Sequence, residues 1–214
     1  MINIERFEVN YFSENTYVLF DETKEAVIID CGCLRDAEKQ RVSRFIEQNN
    51  LVLKRNLCTH LHLDHIFGNE YIYSTYGISP EANEADEIVL PSAEEQSRAF
   101  GLPVAVKGVP LKGYLKDGDK IVFGNSELEV IALPGHTPGG IAFYSVADNF
   151  VIVGDSLFAG SIGRTDLWGG NQNTLVSSLR KRIMTLPDDT KVFPGHGPAT
   201  TVKNEKEFNP YIKY

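Results

Sequence analysis

The chain has 214 residues, of which 42% are hydrophobic and 23% charged, a composition that supports a sizeable core and argues against global disorder. Its 29 acidic side chains outnumber 21 basic ones and give a net charge of −8, which argues against a nucleic-acid partner, since nucleic-acid binding needs clustered basic residues. This length suits one domain covering residues 1–214.

The first half of the chain predicts strands followed by helices. INIERFEVNYF, NTYVLF and EAVIID each read as a strand, because β-branched and aromatic residues recur in them between polar breaks. A helix follows, with Asp36 as its predicted cap and its end at Asn49-Asn50. A short strand over residues 56–59 and a short helix over residues 68–77 come next.

The second half returns to strands after a less regular segment. Residues 81–116 contain two acidic helical stretches, EANEADEIV and SAEEQSRAF, and a loop with several Gly and Pro. KIVF and ELEVIAL flank a turn and predict a hairpin, and the strands IAFYSV and NFVIVGD follow it. A helix with Asn173 as its predicted cap and a strand over residues 191–193 complete the pattern, which favours packed sheets with helices outside.

Targeting and membrane segments are not expected. The stretch MINIERFEVNYF lacks a basic region followed by an apolar run and a cleavage site, and no run approaches the roughly 18 apolar residues of a membrane span. Three cysteines in a chain of this size fit reduced thiols. We therefore expect a cytoplasmic protein with no membrane partner.

All five histidines and two aspartates fall at the ends of predicted strands or in the loops that leave them. These residues are His60, His62, Asp64 and His65 in THLHLDH, His136 in LPGHTPGG, Asp155 after FVIVG, and His196 in FPGHGP. Neutral imidazole and carboxylate groups are ligands of Zn²⁺, Fe²⁺ and Mn²⁺. The pattern predicts two divalent metal ions, with zinc as the first expectation and iron or manganese as alternatives, in a site that activates water.

The motifs THLHLDH, PGHTPGG, GDSLF and PGHGP, in this order, resemble those of the metallo-β-lactamase superfamily over nearly the whole chain. The resemblance implies an α/β fold, a four-layer αβ/βα sandwich of two mixed β-sheets flanked by helices. It also implies that His60, His62 and His136 bind a first metal, that Asp64, His65 and His196 bind a second, and that Asp155 bridges them. The nucleophile would be a hydroxide bridging both metals, with Asp64 as its proton acceptor.

GDSLFAGSIGRTDL narrows the resemblance, because it is similar to a segment of glyoxalase II-type thioesterases and persulfide dioxygenases. Arg164 matches a basic residue that helps to hold the glutathione carboxylate in glyoxalase II. Long glyoxalase II proteins place Glu-Tyr after the last histidine and add a helical domain, whereas Gly197-Pro198 stand here. The resemblance therefore implies a short glyoxalase II-like (hydroxyacylglutathione hydrolase-like) enzyme that hydrolyses a small acyl thioester, with the identity of the thiol left open.

Several alternatives remain open at this point. A mononuclear iron persulfide dioxygenase would use the first metal position alone, and a lactone or ester hydrolase would use the same two-metal site. A true β-lactamase is disfavoured, because zinc lactamases with a three-histidine first site usually lack the Asp-His continuation and carry Cys where Asp155 stands. Arg164 and Asp166 fit a loop-holding ion pair equally well. Trp168 and Tyr114 could line the cleft, although buried packing is the commoner fate of such residues. The sequence gives no oligomeric state.

Overall fold

The structure, a computed structural model, describes residues 1–102 and 106–213. Two six-stranded sheets organise this part of the chain. The first sheet contains, in spatial order, β1 (Asn3–Val9), β2 (Glu14–Phe20), β3 (Glu25–Ile29), β4 (Val52–Leu57), β5 (Pro80–Ala82) and β6 (Gly113–Tyr114). Its first three strands are antiparallel neighbours, and β3 to β6 run parallel, so the sheet is mixed.

The second sheet has the order β14-β13-β10-β9-β8-β7. Its strands are β7 (Lys120–Phe123), β8 (Ser126–Ala132), β9 (Ile141–Ser145), β10 (Phe150–Gly154), β13 (Lys191–Pro194) and β14 (Thr200–Thr201). The pair β10 and β13 is parallel and the other pairs are antiparallel, which makes this sheet mixed as well. A small ribbon joins β11 (Leu157–Phe158) to β12 (Ser161–Ile162).

Helices lie in both halves of the chain, and some of them cover the outer faces of the sheets. They are α1 (Asp36–Gln48), α2 (Leu63–Ile66), α3 (Asn69–Tyr76), α4 (Glu84–Val89), α5 (Ala93–Ala99), α6 (Gln172–Ser178) with a π-helical continuation over Leu179–Ile183, and α7 (Val202–Phe208). None of the helices among the described residues is both long and apolar enough to cross a bilayer.

The four layers follow from the alternation of side chains along the buried strands. Tyr17 and Leu19 of β2 point into a central core shared with β8, β9 and β10 of the second sheet. Val18, the residue between them, points to the other face, where α1 and α3 pack. On the far side, Leu175 of α6 packs on the outer face of the second sheet. The predicted four-layer αβ/βα sandwich is confirmed.

Strand β4 is longer than the sequence predicted, because it starts at Val52 and ends at Leu57 instead of covering residues 56–59. Its polar residues have partners on neighbouring strands. Lys54 Nζ lies 3.2 Å from Glu25 Oε1, and Arg55 Nε donates to Glu81 Oε1 at 2.8 Å. These cross-strand pairs stabilise Lys54 and Arg55 in β4, although the composition of this segment does not favour a strand.

Two helix caps also differ from the prediction. Helix α1 is preceded by Arg35, not capped by Asp36, and Glu38 accepts hydrogen bonds from the backbone N–H groups of Leu34 and Arg35 at 2.9 Å each. Helix α6 is capped by Asn171, not Asn173, because the Asn171 side chain accepts from Thr174 N at 2.9 Å. In both cases another side chain two residues away satisfies the exposed N–H groups.

Candidate metal centre

Strand ends from both sheets deliver the seven predicted site residues to one place. His60 and His62 follow β4, and Asp64 and His65 lie in α2 directly after them. The other three follow strands of the second sheet: His136 after β8, Asp155 after β10 and His196 after β13. The structure brings all seven together, and six of them form two groups whose potential ligand atoms lie within 4.8 Å of one another. We call these the first trio (His60, His62, His136) and the second trio (Asp64, His65, His196).

In the first trio, oxygen acceptors orient two of the imidazoles. The Nδ1 of His60 lies 3.0 Å from Thr59 Oγ1, and the Nδ1 of His136 lies 2.7 Å from the carbonyl oxygen of Arg164. Each contact places the proton on Nδ1 and leaves the lone pair of Nε2 facing the centre. The Nε2 of His136 lies 2.9 Å from Nδ1 of His62, so the three rings converge.

In the second trio, oxygen atoms likewise orient both imidazoles through Nδ1. His65 Nδ1 lies 3.1 Å from Asp30 Oδ2, and His196 Nδ1 lies 2.9 Å from the carbonyl oxygen of Phe12. Both Nε2 atoms therefore face the carboxylate of Asp64, at 3.7 Å from His65 and 3.1 Å from His196. These contacts fix the orientation of both rings in a way that suits metal ligation, because a ligand histidine usually gives its other ring N–H to an oxygen.

Asp155 lies between the two trios. Its Oδ1 is 3.3 Å from His65 Nε2, and its Oδ2 is 3.4 Å from His196 Nε2 and 3.9 Å from His136 Nε2. One carboxylate thus contacts ligand atoms of both trios, which is the geometry that a bridging ligand requires.

The donor atoms fit a pair of cations. His60 Nε2 is buried and forms no hydrogen bond within the described part of the chain, and the buried His65 Nε2 and Asp155 Oδ1 have only each other, 3.3 Å apart, without a well-aligned hydrogen bond. A buried polar atom without a partner is costly, and metal coordination would satisfy all three. Imidazole nitrogen and carboxylate oxygen suit zinc, iron and manganese alike, so the donor set supports divalent metal binding without selecting one metal.

The two trios differ in charge. Burial lowers the pKa of His62 to about 3 and lowers those of His60 and His136, so the first trio is neutral at pH 7. Burial acts in the same direction on His65, but Asp155, Asp64 and Asp30 outweigh it and raise its pKa well above the usual value.

His196 is also protonated at pH 7. Burial would lower its pKa, but hydrogen bonds to Asp155 and Asp64 raise it to about 10. Without metal, imidazolium–carboxylate ion pairs therefore stabilise the second trio. The first trio consists of neutral imidazoles and has no such ion pair among its own members.

Asp30 is a positioning residue that the sequence prediction did not include. It accepts the backbone N–H and the hydroxyl of Thr59, each at 2.7 Å, and lies 3.1 Å from His65 Nδ1. It thereby contacts the residue before His60 and a member of the second trio. Asp30 follows the apolar strand AVII as Asp155 follows FVIVG. This shared position at a strand end is the feature of the sequence that could have identified Asp30.

Asp86 and Glu14 are two further buried acids beside the site. Asp86 accepts from Leu61 N at 3.1 Å and from Thr137 Oγ1 at 3.0 Å, so it ties the loops of the first trio together. Burial raises its pKa to about 6, partly offset by hydrogen bonds from the backbone N–H of Gly139, from Thr137 and from Leu61. Glu14 lies 3.9 Å from His65 Nδ1, and burial raises its pKa well above the usual value. Neither carried a recognisable motif.

The three residues with alternative predictions have distinct environments. Arg164 forms a two-point ion pair with Asp166, with Nε–Oδ1 and Nη2–Oδ2 distances of 2.7 and 2.8 Å, and both side chains are exposed. Trp168 lines the site, since its ring centroid lies 6.4 Å from that of His62. Tyr114 is 44% exposed and hydrogen-bonds to Glu87.

Comparison with known proteins agrees with this geometry. The family model of the metallo-beta-lactamase superfamily matches residues 9–196. The hydroxyacylglutathione hydrolase GloC of Haemophilus influenzae is 37% identical over 212 residues, which cover 99% of this chain and 98% of that protein. The crystal structure of the B3 metallo-beta-lactamase BLEG-1 has a TM-score of 0.88 and 30% identity, with full coverage of both chains. The di-iron-bound form of TTHA1623 has a TM-score of 0.84 and 32% identity, covering 97% of this chain and 99% of that one.

Proposed function

Since the chain belongs to the metallo-beta-lactamase superfamily and is a metal-binding hydrolase, we propose that it hydrolyses small acyl thioesters as a short glyoxalase II-like enzyme. The observation that carries this proposal is the convergence of two ligand trios on one bridging carboxylate, Asp155. The 37% identity to a hydroxyacylglutathione hydrolase over nearly the full chain supports the thioester as substrate class.

We assign the first trio to one metal ion, the second trio to another, and Asp155 to both. Divalent ions held by these residues would supply an activated water molecule and would polarise the acyl oxygen of the substrate. Asp64, whose carboxylate lies 3.1 Å from His196 Nε2 and is partly exposed, would accept the proton that the water gives up. Thr59, Asp30, Arg164 and Phe12 hold the imidazoles in place through Nδ1, so little reorganisation is needed.

The test uses the full chain loaded with zinc, and separately with iron or manganese, on a panel of S-lactoylglutathione, simple acyl thioesters, a lactone and a β-lactam. We expect thioester hydrolysis that is lost on metal removal and restored on metal addition. The β-lactam belongs in the panel because a B3 metallo-beta-lactamase shares this fold over its full length. Inactivity of the fully metallated protein on every thioester would overturn the proposal.

An oxygen electrode, with a persulfide as substrate, separates hydrolysis from the oxygenase alternative. Hydrolysis of a thioester consumes no oxygen, whereas a persulfide dioxygenase would consume it and would need only the first trio. Oxygen uptake without thioester cleavage would favour the dioxygenase.

We further propose that Arg164 contacts a substrate carboxylate. Its guanidinium is already paired with Asp166, so a carboxylate would share or displace that partner, and we expect S-lactoylglutathione to bind weakly. Arg164→Ala should raise KM severalfold while the melting temperature barely changes, since exposed ion pairs contribute little to stability. An unchanged KM with a lower melting temperature would instead assign Arg164 to holding the loop.

A further inference from the structure

Four aromatic side chains form a continuous row beside the metal centre. Ring centroids are 6.5 Å apart between Phe67 and Phe12, 6.4 Å between Phe12 and Phe100, and 5.9 Å between Phe100 and Trp168. We call this row the aromatic band. Its members come from four separate segments: the β1–β2 loop, the residue after α2, the end of α5 and the loop before α6.

Two residues of the band contact the trios, Trp168 through its ring and Phe12 through its backbone. The Trp168 ring centroid lies 6.4 Å from that of His62, and the carbonyl oxygen of Phe12 lies 2.9 Å from Nδ1 of His196. The ring of Trp168 thus lies next to a first-trio histidine, and the backbone of Phe12 contacts a second-trio histidine. A substrate whose reacting carbonyl lies between the trios would have its neighbouring atoms beside these rings.

The band is open to solvent at its centre. Phe12 is 43% exposed and Phe100 is 40% exposed, whereas Phe67 is buried beneath them. Exposed aromatic rings next to a reaction centre leave apolar surface that a ligand can cover, and covering it is favourable. Phe67 and Phe12 stack with an interplanar angle of 22°, so the buried ring supports the exposed one.

The loop that presents Trp168 packs closely against neighbouring segments at Gly169. A Cβ at Gly169 would lie 2.5 Å from Pro138 Cγ and 2.9 Å from Val89 Cγ1, so this loop presses directly on its neighbours. The basic residue of the same loop, Arg164, is neutralised by Asp166. The residue after Trp168 is thus closely packed, and the charge of the basic group in the same loop is balanced.

We propose that the aromatic band is the specificity subsite of this enzyme and binds an aromatic or bulky apolar group attached to the thioester. This inference rests on the proposed thioesterase function and adds the substrate class. The apolar group stands on the acyl side or on the thiol side of the reacting carbonyl, and the same rings would accept it from either side.

Steady-state kinetics with matched thioesters test the subsite on the zinc-loaded full chain. The acyl arm compares phenylacetyl with acetyl thioesters of N-acetylcysteamine, and the thiol arm compares acetyl thioesters of benzyl mercaptan and N-acetylcysteamine. We expect kcat/KM for the aromatic member of one pair to exceed that of its partner by at least about tenfold, since each methylene bound in an apolar pocket changes selectivity by roughly that factor. Phe100→Ala should abolish most of this preference. Tyr211→Ala, which removes an aromatic ring of similar exposure outside the band, should leave it unchanged.

A binding measurement separates failure of the subsite from failure of the proposed function. The sequence contains one tryptophan, Trp168, so intrinsic fluorescence reports on the band directly. We expect a benzyl thioether, which cannot be hydrolysed, to change this emission saturably, and Phe100→Ala to weaken its binding severalfold.

Inactivity on all thioesters together with saturable thioether binding would overturn the thioesterase function and keep the apolar subsite. Equal kcat/KM values within both pairs, with no change in Trp168 emission, would overturn the subsite.

Discussion

At the residue scale, the metal centre combines a neutral half and a charged half. The first trio consists of buried histidines whose pKa values lie below the usual one, so these ligands are deprotonated at pH 7. In the second trio, His65 and His196 are positively charged imidazolium groups, because neighbouring carboxylates raise their pKa values. A metal ion accepts only the deprotonated imidazole, so the two positions must differ in how binding depends on pH.

Proton release should therefore accompany the second metal equivalent. Near pH 7 the first equivalent of metal binds to the neutral imidazoles of the first trio. The second equivalent of metal must displace a proton from each of His65 and His196. Because the pKa of His196 is raised to about 10, affinity for the second equivalent should increase as pH rises towards that value. Affinity for the first equivalent should change little from pH 7 upwards, because burial lowers the pKa values of His60, His62 and His136. Calorimetric zinc titrations in two buffers of different ionisation enthalpy measure this. A second step whose enthalpy is the same in both buffers would contradict it.

The seven proposed ligands could be predicted from sequence because each stands in a short motif at a strand end. Asp30 and Asp86 could not be selected in the same way. Their roles arise from contacts with Thr59, Leu61 and Thr137, residues distant in sequence that the fold brings within 3.1 Å. A single acid at the end of a strand or in a short helix carries no spacing that identifies it.

At the element scale, glycines allow the loops to approach the metal centre. A Cβ at Gly195, between β13 and His196, would overlap Asp155 Oδ1 and would lie 2.6 Å from His65 Cε1. Gly195 also donates its N–H to the carbonyl oxygen of Gly154 at 2.8 Å, so it cannot move away freely. Its missing side chain is what lets β13 place His196 beside Asp155.

Gly195→Ala and Gly197→Ala form a matched pair around His196. The alanine at position 195 should push Asp155 or His65 aside, release the second metal and reduce activity roughly hundredfold, since small displacements in an active site have effects of that size. Gly197 has a φ of +75°, and a Cβ added there would meet no atom within 4 Å, so alanine should cost stability by about 1–2 kcal/mol and keep both metals. Metal analysis and melting curves distinguish the two. Full two-metal content in folded Gly195→Ala would contradict the close-approach role.

Element positions could be predicted wherever composition and periodicity agreed, as in β2, β8 and α1. Strand β5, of three residues, was not predicted, because its backbone partners in β4 and β6 define it and its composition does not. Helix α7 was not predicted either. It is stabilised by the Thr201 cap and by the contact of Val202 with the core on the outer face of the second sheet.

At the scale of the whole molecule, one core joins the two sheets. The central cluster contains Leu19 and Ile29 from the first sheet together with Leu128 and Phe143 from the second. The hydroxyl of Tyr17, in β2 of the first sheet, donates to the carbonyl oxygen of Pro194, in β13 of the second sheet, at 2.7 Å. Pro194 lies two residues before His196 of the second trio. We propose that residues 1–214 fold as one unit, since neither sheet has a buried inner face without the other.

Metal-free protein should then unfold in a single transition. We expect the denaturant midpoints from far-UV circular dichroism and from Trp168 fluorescence to coincide, because Gly169, next to the tryptophan, lies close to Pro138 between β8 and β9 and to Val89 in α4 after β5. A fluorescence transition that is complete before the loss of secondary structure would show that the site region unfolds separately.

The central claim is that hydrolysis needs both trios filled. The most direct measurement is the rate of thioester hydrolysis during stepwise addition of zinc to metal-free protein, with bound metal measured at each step. We expect little activity up to one equivalent and a rise that ends at two equivalents per chain, because the second trio and Asp155 complete the site. A full rate at one equivalent, unchanged by the second, would contradict the two-metal account.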